Sequence, residues 1–155
     1  LAGLQASTII FPDAASKQKF DTFWQRIDIG LNNCFSVVAV EAAFREGEEW
    51  LEQLLHYIEA NVTFVKNYFD TKIPEIKTYV PQSTYLMWLD CRALGMTADE
   101  FCYFMVNEAG LGLSDGRAFG SKDGYMRINV ACPRCTLEKA LSQLEKAIAK
   151  RRNKK

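Results

Sequence analysis

The sequence predicts an α/β chain in two parts, a mostly helical first part and a small α+β second part. Residues 1–72 contain helical patterns and a single strand pattern, whereas residues 73–155 alternate strand and helix patterns. One apolar stripe follows residues 48–69, a helix of roughly 30 Å at about 1.5 Å per residue. Because the later strand patterns are short and closely spaced, we expect a mostly antiparallel sheet covered by helices.

The first part opens with a strand pattern. Residues 8–11 are β-branched and apolar, which is typical of a short buried strand. Apolar side chains then recur at three- and four-residue steps over residues 14–28, which predicts a helix that ends before Gly30. Further helices are predicted over residues 34–44 and 48–69. A single strand cannot close a sheet, so the first part is interpreted as the tail of a larger domain.

The second part begins after Pro74. Residues 77–80 and 85–89 are rich in β-branched and aromatic side chains, which favours strands. Thr97 and Glu100 have the spacing of a capping box, so a helix is predicted from there to about Gly110.

The remaining patterns complete the sheet and its cover. A short strand is predicted over residues 111–113. Asp123-Gly124 is a tight-turn signal that leads into a strand over residues 125–130. A last helix, capped by Thr136, presents one leucine-rich face.

Composition argues against several classes of function. Lys+Arg and Asp+Glu both number 19, so no overall field attracts nucleic acid or a membrane. No apolar run reaches the roughly 18 residues that span a bilayer. The five cysteines are an odd number and lie mostly in apolar runs, which favours reduced thiols and a cytoplasmic location. The basic residues at positions 150–155 are interpreted as a solvated helix end rather than a nucleic-acid tail.

Two further motifs are weak. Cys132 and Cys135 form a Cys-x-x-Cys motif, but zinc would require a second pair or histidines at suitable spacing. The single histidine, His56, lies within the long predicted helix. We therefore expect no metal site, and packing is favoured over redox chemistry for the two cysteines.

Arg127 is the most informative residue. Met126, Ile128 and Val130 alternate with Tyr125, Arg127 and Asn129, so the arginine lies on the face opposite the apolar set. A planar guanidinium forms two parallel bonds with a carboxylate, which makes carboxylate recognition one interpretation. A surface or ion-paired arginine is the other. The glycine-rich segment 114–124 just before it is interpreted as a flexible, exposed hairpin connection.

The motifs together resemble the C-terminal part of pyridoxal-phosphate enzymes of fold type I (class I/II aminotransferases), in the cystathionine β-lyase or maltose-regulon-modulator branch. Their order and spacing cover nearly the whole chain. The matching stretches are residues 1–7, Pro81 with 85–92, Asp115-Gly116, Phe119-Gly120, Gly124, 127–129, 131–134, 137–141 and, for the branch, 46–51.

The resemblance implies a function for the parent protein. It implies a carbon–sulfur β-lyase of the cystathionine β-lyase or cysteine desulfhydrase type that acts on sulfur amino acids with pyridoxal 5'-phosphate. Arg127 matches the arginine that grips the substrate carboxylate, and Gln5 falls where many relatives place a phosphate-binding arginine. No catalytic residue is expected in this chain, since the Schiff-base lysine would lie upstream of Leu1. The isolated chain should therefore be inactive.

Two alternatives stay open, namely an aminotransferase of the same fold and a non-catalytic interaction or regulatory module. The expected partners are the amino-acid substrate, the remaining N-terminal part of the enzyme and a second copy in a homodimer. The sequence patterns predict a boundary at about residue 72, and the resemblance implies that residues 1–72 are the tail of the large cofactor-binding domain with a long interdomain helix and that residues 73–155 are the small domain.

Overall fold

The computed structural model describes residues 2–27 and 33–153. The chain divides into two compact units, Leu1–Gln53 and Leu54–Lys155. Parts of the predictions above fall on Leu1, Asp28, Gly30, Lys154 and Lys155, which lie outside the described residues. The elements are α1 (Ala14–Arg26), α2 (Cys34–Glu46), α3 (Glu48–Lys72), β1 (Lys77–Thr78), β2 (Leu86–Asp90), α4 (Ala98–Tyr103), β3 (Ser114–Asp115), β4 (Tyr125–Asn129) and α5 (Arg134–Arg152).

Side-chain caps define the helices of the first unit. The Asp13 carboxylate accepts a hydrogen bond from the Ser16 amide at 2.7 Å, and α1 follows. The Asn33 side chain accepts from the Phe35 amide at 2.9 Å at the start of α2. The buried Ser36 donates its hydroxyl to the Leu4 carbonyl at 2.5 Å, which ties α2 to the opening segment.

The strand predicted over residues 8–11 is wrong. These residues form no strand, and Ile10 is 90% exposed. A strand requires a neighbour that exchanges backbone hydrogen bonds with it. None of the described residues of the first unit forms one, so local β propensity alone does not produce a strand here.

The second unit contains a four-stranded antiparallel sheet of order β1-β2-β4-β3, and this confirms the predicted fold class. Met87, Leu89, Met126 and Ile128 point from the central strands into the core. The helices supply the opposite side of that core with Val65, Phe69 and Ile73 from α3 and its end, and Leu137, Leu141 and Leu144 from α5.

The second unit departs from the sequence prediction at two points. The predicted capping box is present, with the Thr97 amide donating to Glu100 Oε2 at 2.9 Å, and α4 continues as a π-helix over Phe104–Glu108. The strand predicted over residues 111–113 is wrong, because the Leu111 amide donates to the Met105 carbonyl at 2.7 Å and so ends that helix. The cap predicted at Thr136 is also wrong, since α5 already begins at Arg134.

No helix within the described ranges combines the length and apolarity that a bilayer crossing requires.

Candidate functional site

Arg127 lies at the centre of the sheet, on the face away from the core. It is paired in register with Trp88 of β2 and Ser114 of β3. Its neighbours Met126 and Ile128 are buried, whereas Arg127 itself is half-buried. The alternation inferred from the sequence is therefore observed, because successive side chains of a strand point to opposite faces.

The Arg127 guanidinium is covered by an aromatic ring. Its Cζ lies 4.0 Å from the centroid of the Phe119 ring. The ring of Trp88 meets Phe119 edge-on, with centroids 5.9 Å apart and an angle of 84° between the planes. A guanidinium carries its donors in its own plane. The ring therefore covers one face of the group and leaves the N–H edges available.

Among the residues that the structure describes, no neighbouring acid balances the charge of Arg127. No ion pair joins Arg127 to a carboxylate within residues 2–27 and 33–153. Two arginines nearby contrast with it. Arg92 donates to both Asp90 oxygens at 2.9 and 2.7 Å, and Arg117 approaches Asp115 at 2.7 Å. Of these three arginines, Arg127 is the one that has no carboxylate partner among the described residues.

The segment before β4 is built around Asp115 rather than being a plain connection. Asp115 accepts from the Arg117 amide at 2.9 Å and from Arg117 Nε at 2.9 Å. The hydrogen bond from the Arg117 side chain is the main reason that the pKa of the Asp115 carboxyl falls to about 2. A one-turn 3₁₀ helix, Gly116–Phe119, follows and ends at Gly120 with φ +78°. This turn carries Phe119 to its position over Arg127.

A buried asparagine holds the end of β4. Asn61 of α3 is fully buried and donates to the Val130 carbonyl at 2.9 Å and to the Cys132 carbonyl at 3.0 Å. Its Oδ1 accepts from Arg134 Nε at 2.9 Å. The sequence indicated no role for Asn61 in holding β4 and no contact of Phe119 with Arg127. A polar residue within the apolar stripe of α3 was the available signal for Asn61, and a lone aromatic in a glycine-rich segment was the signal for Phe119.

Gln5 lies in the first unit, whereas Arg127 lies in the second. Gln5 is exposed, with φ +52°, and lines a cleft with Ser7, Ser36 and Glu41. No lysine or arginine among the described residues lines this cleft, and the Glu41 carboxylate in its lining is ion-paired with Arg45. The described residues therefore do not form a phosphate site for pyridoxal phosphate by themselves, and the phosphate role of Gln5 remains a prediction.

Among the cysteines, Cys102 contacts the segment before β4, because its thiol donates to Asp115 Oδ2 at 3.3 Å. Burial raises the pKa of the Cys132 thiol, and Cys135 is exposed. His56 is exposed on α3. Among the residues that the structure describes, no three potential metal ligands lie together.

Known proteins resemble this chain over almost all of its length. No protein-family model matches it. Cystathionine beta-lyase PatB of Bacillus subtilis is 37% identical over 150 residues, which cover 96% of this chain and 39% of PatB. Protein MalY of Escherichia coli is 33% identical over 108 residues, which cover 69% of this chain and 28% of MalY.

Solved structures are also similar to this chain over almost all of its length. Cystalysin from Treponema denticola, which contains pyridoxal 5'-phosphate, is 30% identical with a TM-score of 0.91, over 97% of this chain and 38% of its own. A PLP-bound putative aminotransferase from Clostridium difficile is 43% identical with a TM-score of 0.89, over 95% of this chain and 38% of its own. The chain thus spans about two fifths of the length of these proteins.

Proposed function

We propose that this chain supplies the substrate-carboxylate site of a carbon–sulfur β-lyase. The chain belongs to the fold type I pyridoxal-phosphate enzymes of the cystathionine β-lyase branch, and it corresponds to their C-terminal part. The substrate is a sulfur amino acid, and the intact protein uses pyridoxal phosphate. One observation carries the proposal, namely that Arg127 is half-buried, covered on one face and not neutralised by a described acid.

The contribution of this chain is to bind and orient the substrate. Arg127 donates two parallel N–H bonds to the two carboxylate oxygens, which fixes the position and the rotation of the attached Cα. The Phe119 ring packs against the guanidinium, and Trp88 meets that ring edge-on.

The cofactor requires residues beyond those described. When bound, pyridoxal phosphate supplies an electron sink for the substrate. The cleft at Gln5 lacks a described cation, and the Schiff-base lysine is expected upstream of Leu1. The isolated chain should therefore be inactive. Adding pyridoxal phosphate and cystathionine to it should release no thiol, and saturable release would contradict this expectation.

An aminotransferase is the second candidate. The solved structure with 43% identity is that of a putative aminotransferase. A carboxylate-binding arginine serves both reactions, so the site of this chain does not separate them. The products do, because a β-lyase yields pyruvate with a thiol, whereas an aminotransferase yields the keto acid of its substrate.

The first unit is proposed to contact the remaining N-terminal part of the enzyme. Large apolar side chains of α2 are exposed, with Phe44 at 85% and Phe35 at 72%. Exposed apolar patches of this kind mark contact surfaces. A non-catalytic interaction module would use the same surface.

We further propose a domain boundary near residue 72, a homodimer and a cytoplasmic location for the intact protein. Analytical ultracentrifugation of the intact protein would test the homodimer.

Arg127→Lys in the full-length protein tests the proposed site. The charge remains but the two-pronged donor is lost, so kcat/KM for cystathionine should fall at least tenfold, which corresponds to about 1.4 kcal/mol. Arg152→Lys is the matched control, because Arg152 belongs to the same unit and pairs with Glu75. Its kcat/KM should stay within about twofold of the parent. An unchanged value for Arg127→Lys would mean that another group holds the carboxylate.

A further inference from the structure

The geometry points to Phe119 as a positioning residue, whose ring fixes the orientation of the Arg127 guanidinium for carboxylate binding. This inference rests on the proposed role of Arg127. The Arg127 Cζ lies 4.0 Å from the Phe119 ring centroid, and Trp88 braces that ring at 5.9 Å and 84°. The three side chains come from β2, β4 and the 3₁₀ turn between β3 and β4.

Arg127 differs from the neighbouring arginines in having an aromatic ring rather than a carboxylate as its partner. Arg92 and Arg117 are held by carboxylates, at 2.7 Å from Asp90 and 2.7 Å from Asp115. A carboxylate that held Arg127 in this way would occupy the N–H donors that the substrate needs. An aromatic face attracts a cation without accepting its in-plane hydrogen bonds. The ring therefore restrains the guanidinium while its donors and its charge remain available.

Contacts of the residues around Phe119 hold its ring in place. Arg117 contacts Asp115 at 2.7 Å and Asp99 at 3.2 Å, so both ends of its guanidinium are engaged. A Cβ on Gly116 would lie 2.7 Å from the Tyr125 carbonyl oxygen, which shows how closely the turn approaches β4. These contacts fix the backbone from which Phe119 extends.

Exposure favours a role beyond packing. Phe119 is 47% exposed and Trp88 is 38% exposed, although both are large apolar side chains. A ring that served only the core would be expected to bury more of its surface. Its contact with a cation on the solvent-facing side of the sheet gives the partial exposure a reason.

The test uses the full-length holoenzyme and two small competitive inhibitors. L-alanine carries the carboxylate, whereas L-alaninamide replaces it with a neutral amide. Phe119→Leu removes the aromatic face and should raise the inhibition constant of L-alanine about three- to tenfold. The constant of L-alaninamide should stay within about twofold, because it does not use the Arg127 fork. KM for cystathionine should rise more than kcat falls.

Three further variants complete the design. Phe119→Tyr keeps the ring and should restore the L-alanine constant to within about twofold of the parent. Tyr103→Leu is the matched control, because Tyr103 is an exposed aromatic of the same unit without such a stack. Phe119→Met serves the same purpose as Phe119→Leu if the latter does not fold, as judged by its thermal midpoint.

The outcomes separate this inference from the proposed function. If Arg127→Lys leaves L-alanine inhibition unchanged, the carboxylate role of Arg127 fails and the inference fails with it. If Arg127→Lys raises the inhibition constant of L-alanine but Phe119→Leu does not, the role of Phe119 is overturned and the role of Arg127 stands. If Phe119→Leu raises the inhibition constants of L-alanine and L-alaninamide equally, the role of Phe119 is also overturned, because that result indicates a general structural loss.

Discussion

Replacing Asn61 with leucine should destabilise the protein more than any other single polar substitution on α3. Asn61 is fully buried and makes three hydrogen bonds, to the carbonyls of Val130 and Cys132 and from Arg134 Nε. These contacts hold the chain at the point where β4 ends and α5 begins. Leucine has a similar volume but no polar atoms, so the three partners lose their bonds while little space is created.

The magnitude follows from the burial of the partners. A buried polar group without a hydrogen bond costs about 1–3 kcal/mol. Val130 is fully buried, so its carbonyl should lose the whole free energy of the missing hydrogen bond. Cys132 and Arg134 are half-buried, so water can replace part of the hydrogen bonding that their polar groups lose. The sum is about 3 kcal/mol, which in a chain of this size corresponds to roughly 6–12 °C in the midpoint of thermal unfolding.

The assay is urea unfolding of the purified protein, followed by far-ultraviolet circular dichroism. Asn67→Leu is the matched control, because Asn67 is exposed on the same helix. Its free energy of unfolding should stay within about 0.5 kcal/mol of the parent. If Asn61→Leu also stays within that limit, the three bonds do not stabilise the fold and the reasoning is refuted.

Two other predictions concern the turn before β4 and a tyrosine of α3. Gly116→Ala should lower the free energy of unfolding by about 2 kcal/mol, because its Cβ would lie 2.7 Å from the Tyr125 carbonyl oxygen. Gly112→Ala, whose Cβ would meet no atom within 4 Å, should have little effect, and equal values in chemical unfolding would contradict the argument. Burial, then the hydrogen bond to Glu145, raises the pKa of Tyr68 to about 12. Since this pKa is raised, its contribution to stability is complete below about pH 10, the ordinary tyrosine value, and is lost as the pH rises towards 12. Tyr68→Phe should therefore lose less stability than the parent over that interval, and parallel losses in alkaline thermal unfolding would count against the assignment.

Local patterns predicted most of the secondary structure. The long apolar stripe of α3, the capping box at Thr97 and Glu100 and the alternation in β4 are properties of short stretches, and all three are observed. The strand predicted at residues 8–11 has no partner among the described residues of its unit, and the one predicted at 111–113 is replaced by a hydrogen bond from Leu111 back to the preceding helix. Strand formation depends on a partner elsewhere in the chain, and a short apolar run does not carry that information.

The amino-acid pattern of β4 was enough to predict that Arg127 faces away from the core, because side-chain alternation along a strand is local. The resemblance of its motifs added the family and the cofactor. The contact of Phe119 with this arginine, and the hydrogen bond by which Asn61 holds the end of the strand across 69 residues, depend on how the chain folds. Such contacts form when the chain closes on itself, and they have no periodicity that a linear pattern could display.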